Sequence, residues 1–181
     1  MLYTTRARER RIGMKSTRNA TISLGKPITA PALVPVKHAA TPACINHPFQ
    51  VKGDYCGVTA LSFGTPHGAV SVADVDNTDV LDLGLALGTH PLFPKGASIV
   101  FFQVLDSENL KARLWQRGKG EVPFTPEAAC VAATVAMKLQ KTFACKVNVS
   151  MGGNVFCVQW DRGVGEVSIS GSLSLLGQHS A

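Results

Sequence analysis

The sequence predicts an α/β fold in which an antiparallel sheet, or an open barrel, is wrapped around one central apolar helix. Two observations carry the prediction. Residues 126–140 read PEAACVAATVAMKLQ, a helix-length run that is apolar on almost every face, and a helix apolar all round is buried all round. The chain on either side of it breaks into short β-branched and aromatic runs separated by Gly and Pro, the pattern of seven or eight strands. Strands closing round a single buried helix satisfy both patterns.

Taken in order, residues 1–19 carry Arg6, Arg8, Arg10, Arg11, Lys15 and Arg18 against Glu9 alone, part of a formal net charge of +6. We expect a basic, disordered arm here. No aromatic residue lies between its charges to stack on bases, which argues against a nucleic-acid partner. Residues 20–171 are read as a single domain. Thr21–Leu24 is a short strand, and Pro27, Pro31, Pro35, Pro42 and Pro48 make the following stretch extended loop. Lys52–Phe63 alternates in part and reads as a strand, Gly64–His67 as a turn and Gly68–Val72 as the next strand.

Asp79–Thr89 has the apolar spacing of a short helix, weakened by Gly84 and Gly88. Ser98–Leu105 reads as a buried strand with Leu110–Gln116 as its hairpin partner. The central helix then begins with Thr125 as N-cap, Pro126 at the first helical position and Glu127 favourably placed in the helix dipole. Lys146–Met151 and Val155–Trp160 form a second hairpin through Gly152-Gly153-Asn154, and Glu166–Ser170 is a last strand. Residues 172–181 are small and polar and are expected to fray.

Composition removes several classes of function. The chain is 45% apolar and 17% charged, which suits a folded body rather than a disordered one. Cys44, Cys56, Cys130, Cys145 and Cys157 are odd in number and lack a CxxC pair, so we expect reduced thiols in a cytoplasmic protein. Cys130, inside the apolar run, reads as a buried small hydrophobe. The five histidines show no metal-ligand spacing, so no metal or other cofactor is expected. No stretch of 18 apolar residues is present to cross a membrane.

Four stretches point to a family. Ser62-Phe63-Gly64-Thr65-Pro66-His67-Gly68 resembles the Gly-Asn-Pro-His segment of diaminopimelate epimerases. His90-Pro91-Leu92-Phe93-Pro94 with Ile99–Val104 is similar to that family's His-Pro-x-Phe-Pro and Asn-Val segment. Arg113-Leu114-Trp115-Gln116-Arg117-Gly118-Lys119-Gly120-Glu121 is similar to its Arg-x-Trp-Glu-Arg-Gly-x-Gly-Glu. Cys130 and its alanines match the end of the family's Ala-Cys-Gly-Thr-Gly-Ala-Cys-Ala run. The resemblance covers roughly residues 20–171 and implies the second of two similar domains, each a barrel-like sheet around a helix.

The resemblance also implies an activity: epimerisation at Cα of diaminopimelate without a cofactor. Two cysteines, one from each domain, act as base and acid on opposite faces of the carbon. Helix N-terminal amides hold the substrate carboxylate. Against that pattern, Thr125 stands where the second-domain cysteine would be, and Pro126-Glu127-Ala128 stands where Gly-Thr-Gly would hold the carboxylate. Thr65 and Ser98 replace asparagines, and Gln116 replaces a glutamate. Arg117 is retained and could hold a distal carboxylate, and His67 is a candidate polar group of the same site.

Three functions follow as expectations. One is a non-catalytic, degenerate relative acting as a binding or interaction module. Another is an active cofactor-independent amino-acid epimerase of lysine biosynthesis, completed by a partner subunit resembling the absent first domain. A third is nucleic-acid association through the basic arm. An apolar face left by the missing domain implies a homodimer or a docked partner.

Overall fold

The computed structural model describes residues 2–5, 8–14, 19–37 and 42–177, with side chains from residue 19 onward. It is a mixed α/β structure, mostly sheet with few helices. Twelve strands form one sheet: β1 Leu2–Thr5, β2 Arg8–Met14, β3 Asn19–Gly25, β4 His47–Val51, β5 Asp54–Ser62, β6 Pro66–Ser71, β7 Ser98–Val104, β8 Asn109–Gln116, β9 Gly120–Val122, β10 Lys146–Met151, β11 Asn154–Trp160 and β12 Val167–Ser172. Three helices accompany them among the described residues: α1 Val80–Gly88, α2 Pro126–Lys138 and α3 Leu173–Gly177. The strand order is β1-β2-β3-β12-β11-β10-β8-β7-β6-β5-β4, with β9 paired to β8. Neighbours are antiparallel except for β6–β7 and β8–β10, which are parallel.

The sheet has a helix on each face. α2 buries eleven of its residues, all from Pro126 to Met137 except Glu127, and packs against β5–β8 and β10–β12. α1 covers the other face over β4, β7, β8 and β9. β7 lies between the two layers. Val100 and Phe102 join the α2 cluster while Ile99 and Phe101 join the α1 cluster. Side chains alternate across a strand, so a strand buried on both faces must be apolar at successive positions, as Ser98–Leu105 is.

Trp115 explains why α1 tolerates two glycines. A Cβ added at Gly84 would collide with Cβ and Cγ of Trp115, and one at Gly88 would collide with Trp115 Cζ3 and come within 2.8 Å of the Ala97 carbonyl. The glycines let the helix lie directly on the indole. The β10–β11 hairpin forms as expected, with Met151 opposite Asn154 and with Gly152 and Gly153 at φ of 54° and 77°, a backbone that glycine adopts without strain.

Three expectations are corrected. The described parts of residues 1–19 form strands β1 and β2 rather than a disordered arm. β2 adds to the sheet through backbone pairing of Ile12, Gly13 and Met14 with Ile22, Thr21 and Ala20, which leaves little trace in composition. Residues 1, 6–7 and 15–18 lie outside the described residues. The expected fray from residue 172 instead contains α3, pinned by Leu176 at 1% exposure; residues 178–181 lie outside the described residues. The proline-rich loop ends in strand β4, and Pro48 fits there because β4 is an edge strand paired with β5 alone. No helix among the described residues is long and apolar enough to cross a membrane.

Candidate functional site

Strand register gathers the site at one end of the sheet. In the parallel β6–β7 pair His67 lies opposite Ser98. In the antiparallel β7–β8 pair Ile99 lies opposite Trp115, which carries the end of β8, with Gln116 and then Arg117, to the Ser98 end of β7. The N-terminus of α2 reaches the same place. The result is a cleft of about 280 Å³ whose wall includes Thr65, His67, Ser98, Gln116, Arg117, Thr125 and Glu127. All seven residues singled out in the sequence are therefore brought together, although they span 62 positions from Thr65 to Glu127. Pro66, Ala97 and Leu114 complete the lining. Ala97 and Leu114 carry no chemical signal and follow only from the strand register.

Each polar side chain has a defined setting. Thr125 is extended (φ −138°, ψ 149°) and its Oγ1 accepts the Ala128 N–H at 3.0 Å, which makes it the N-cap of α2. Thr65 Oγ1 donates to Glu127 Oε2 at 2.8 Å, tying the β5–β6 turn to the first turn of α2. Ser98 Oγ accepts the Arg117 N–H at 3.1 Å. Arg117 Nη1 donates to the Lys95 carbonyl. Gly96, at φ 71°, sits so close that a Cβ there would come within 2.9 Å of Arg117 Cδ. Sequence reading missed Gly96, and its signal is the single glycine between the Pro94 turn and β7.

His67 is 3% exposed and its Nδ1 lies 3.0 Å from the Thr65 carbonyl. A carbonyl only accepts, so Nδ1 carries the proton. Burial pushes the imidazole below its ordinary value of 6.5, opposed by the Thr65 bond and by the Glu127 carboxylate. Below about 6.5 the unfolded chain takes up a proton that the buried ring resists, so stability present at neutral pH is lost as pH falls through that range, by at most about 1.4 kcal/mol per pH unit. Denaturant unfolding of the wild type and His67→Gln between neutral and mildly acid pH checks this. The variant should show the shallower acid loss.

The rest of the Arg113–Glu121 motif is structural. Arg113 Nε and Nη2 grip the two oxygens of Glu121 at 2.8 and 3.0 Å, and Nη1 donates to the carbonyls of Val75, Asp76 and Thr78. Trp115 lies under α1. One motif thus supplies both the frame and, through Gln116 and Arg117, the cleft. None of the five cysteines is in a disulfide; Cys130 is wholly buried in α2 and none lines the cleft. No group of three or more His, Cys, Asp or Glu able to hold a metal occurs among the described residues.

The family model described as diaminopimelate epimerase matches residues 59–172. The chain belongs to the diaminopimelate epimerase family. The diaminopimelate epimerase of Pseudomonas paraeruginosa is 35% identical over 140 residues, covering 77% of this chain and 50% of that protein. The diaminopimelate epimerase of Leptospira biflexa is 32% identical over 151 residues, covering 83% of this chain and 53% of that protein. The chain spans about half the length of the curated relatives it matches. Similar solved structures include a hydroxyproline epimerase from Agrobacterium vitis (TM-score 0.59, 10% identity, 91% of this chain and 53% of that one). A phenazine biosynthesis protein of the PhzF family from Bacillus anthracis is also similar (TM-score 0.52, 15% identity, 90% and 61%). At these identities the structures show a common fold. With the family in hand, the cleft is where its segments converge: the Gly-Asn-Pro-His-like turn, the start of β7, the end of β8 and the cap of α2.

Proposed function

We propose that this chain is a non-catalytic member of the diaminopimelate epimerase family, a module that binds a small carboxylate-bearing amino acid in the cleft without turning it over. Thr125 carries the reading. Removal of a Cα proton needs a strong, positioned base on one face of the carbon and an acid on the other. A threonine hydroxyl is far less acidic than a thiol, so its conjugate base is not populated near neutral pH. Here its oxygen is also engaged in capping α2. The helix start is poor in donors as well: Pro126 has no N–H and the Ala128 N–H is given to Thr125. Arg117 remains in the cleft to hold a carboxylate.

A second reading is an epimerase completed by a separate polypeptide resembling the other half of the family's proteins. His67 favours it, because its imidazole lines the cleft and burial keeps it neutral. Against it, no hydrogen bond joins His67 to Thr125. We further propose that the sheet curls round α2 as its axis, and that a second copy or a partner covers the side of α1 bearing Leu81 and Leu85. These two lie one turn apart and are 59% and 55% exposed. Five cysteines without a disulfide suit a reducing, cytoplasmic setting. Nucleic-acid association through the basic arm has no described side chain to support it.

Thr125→Cys tests the non-catalytic reading. Under ours, the variant incubated with diaminopimelate in deuterated water gains no label at Cα above a no-protein control. Turnover in that single variant would show that the rest of the epimerase machinery is intact and would sink the proposal.

A further inference from the structure

α2 runs from the cleft to the opposite end of the sheet. β8 and β10 are parallel, so β10 starts with Lys146 at the end away from Gln116. Antiparallel β11 returns there and finishes at Trp160. The Trp160 N–H donates to the Cys145 carbonyl at 2.9 Å, which ties the loop after α2 to the end of β11. Lys138, Lys141, Lys146 and Arg162 therefore share one end of the molecule with Trp160 and Phe143.

Trp160 arranges two of these cations. Lys138 Nζ lies over the indole, 5.3 Å from its centroid, and the Arg162 guanidinium lies at 5.9 Å, within cation–π range. The indole N–H donates to the Gly165 carbonyl at 3.3 Å. Among the described residues none of the four cations forms an ion pair, whereas Lys52, Lys111 and Arg113 each pair with a carboxylate. Asp161 and Glu166 also lie at this end, but their carboxylates are engaged elsewhere. Asp161 accepts the Gly163 and Val164 N–H groups at 2.9 and 3.1 Å, and Glu166 takes the Ser23 hydroxyl at 3.1 Å. The last turn of α2 does not need Lys138 as a cap, because Val135, Ala136 and Met137 carbonyls accept the N–H groups of Leu139, Lys141 and Gln140. Burial pushes the Lys138 ammonium below its ordinary value of 10.5, and an anion beside it would oppose that shift.

Phe143 is 79% exposed, and in the chain it lies between Lys141 and Lys146. An open ring with cations on either side is what a nucleobase and its flanking phosphates require. β2 reaches the same end. Its pairing of Ile12 with Ile22 and Met14 with Ala20 carries the part with Arg8, Arg10 and Arg11 toward the Gly25 end of β3. Gly25 pairs with Val167, and Val167 with Trp160. The aromatic ring that the basic arm lacks between its charges is thus supplied by a distant part of the chain.

We propose that this end of the molecule, opposite the cleft, binds single-stranded nucleic acid, with a base on Phe143 and phosphates on Lys138, Lys141, Lys146 and Arg162.

Fluorescence anisotropy of the full chain with a labelled oligothymidylate about twelve nucleotides long tests this. We expect binding that weakens with salt, log K falling against log salt with a slope of about −3 or steeper for these phosphate contacts. Phe143→Ala should weaken binding about tenfold or more without changing the slope. Lys141→Ala combined with Lys146→Ala should flatten the slope by about 1.4, two contacts' worth. All three side chains are exposed, so the fold should tolerate their removal. Absence of binding at low salt would overturn the proposal. So would Phe143→Ala binding as tightly as the wild type, or an unchanged slope in the lysine variant. Binding to phosphatidylcholine–phosphatidylserine vesicles without binding to the oligothymidylate would assign the surface to a membrane and overturn it equally.

Discussion

Arg113→Ala is expected to destabilise the protein by about 2–3 kcal/mol, within the range for losing several hydrogen bonds to a charged group. The guanidinium is the hub of the α1 face. It forks onto Glu121 on β9 and closes the loop before α1 by donating to the carbonyls of Val75, Asp76 and Thr78. The pair is itself 29% and 31% exposed, so solvent screens part of the ionic contribution. The larger cost comes from the loop carbonyls, since Val75 is fully buried and its oxygen loses its donor. Lysine cannot reproduce a planar fork of five donors, so Arg113→Lys should recover less than half of the loss. Denaturant unfolding with both variants checks the pair. Near-complete rescue by lysine would mean that charge rather than geometry holds the loop.

Gly84→Ala is expected to destabilise by about 2 kcal/mol, in the direction opposite to helix propensity. In an exposed helix the exchange would stabilise by up to about 1 kcal/mol. Here the new methyl meets Trp115 Cβ and Cγ, atoms fixed to β8 rather than the far end of a flexible chain. Overpacking of this kind costs about 1–3 kcal/mol, and α1 must lift from the sheet to relieve it. Thermal unfolding of Gly84→Ala alone and in a Trp115→Leu background measures the coupling. The penalty should shrink in the second background, and an equal penalty in both would show that Trp115 is not its cause.

Much of this was legible because the signals are local. Thr125-Pro126-Glu127 announces a helix start, and the structure begins α2 at Pro126 with Thr125 as its cap. The apolar run Ser98–Leu105 and the Gly152-Gly153 turn also read directly onto β7 and the β10–β11 hairpin. The cleft residues were found because ordered motif segments fall at the ends of adjacent strands. What escaped depends on partners distant in sequence. Strand β2 is fixed by backbone pairing to β3 and β1 by pairing to β2, and neither pairing leaves a trace in composition. The parallel pairings β6–β7 and β8–β10 bring together segments separated by α1 and α2, and no local turn marks them. Gly84 and Gly88 read as weaknesses of α1 until Trp115 is seen beneath them. β9 has three residues, too few to show a period.

The acidic residue at the α2 N-terminus, Glu127, was visible in the sequence, and its surroundings come from the structure. Glu127 takes the Thr65 hydroxyl and lines the same cleft as His67 and Arg117. A good helix cap and a good carboxylate site compete for the same amides, and here the cap has them.

Deuterium exchange tests the central claim most directly. The full chain is incubated with LL- or meso-diaminopimelate in deuterated water and the amino acid is analysed for label at Cα. The account predicts no incorporation above the no-protein control at any protein concentration. Label that rises in proportion to the wild-type protein would contradict it and make this half-length chain an epimerase with a base other than cysteine.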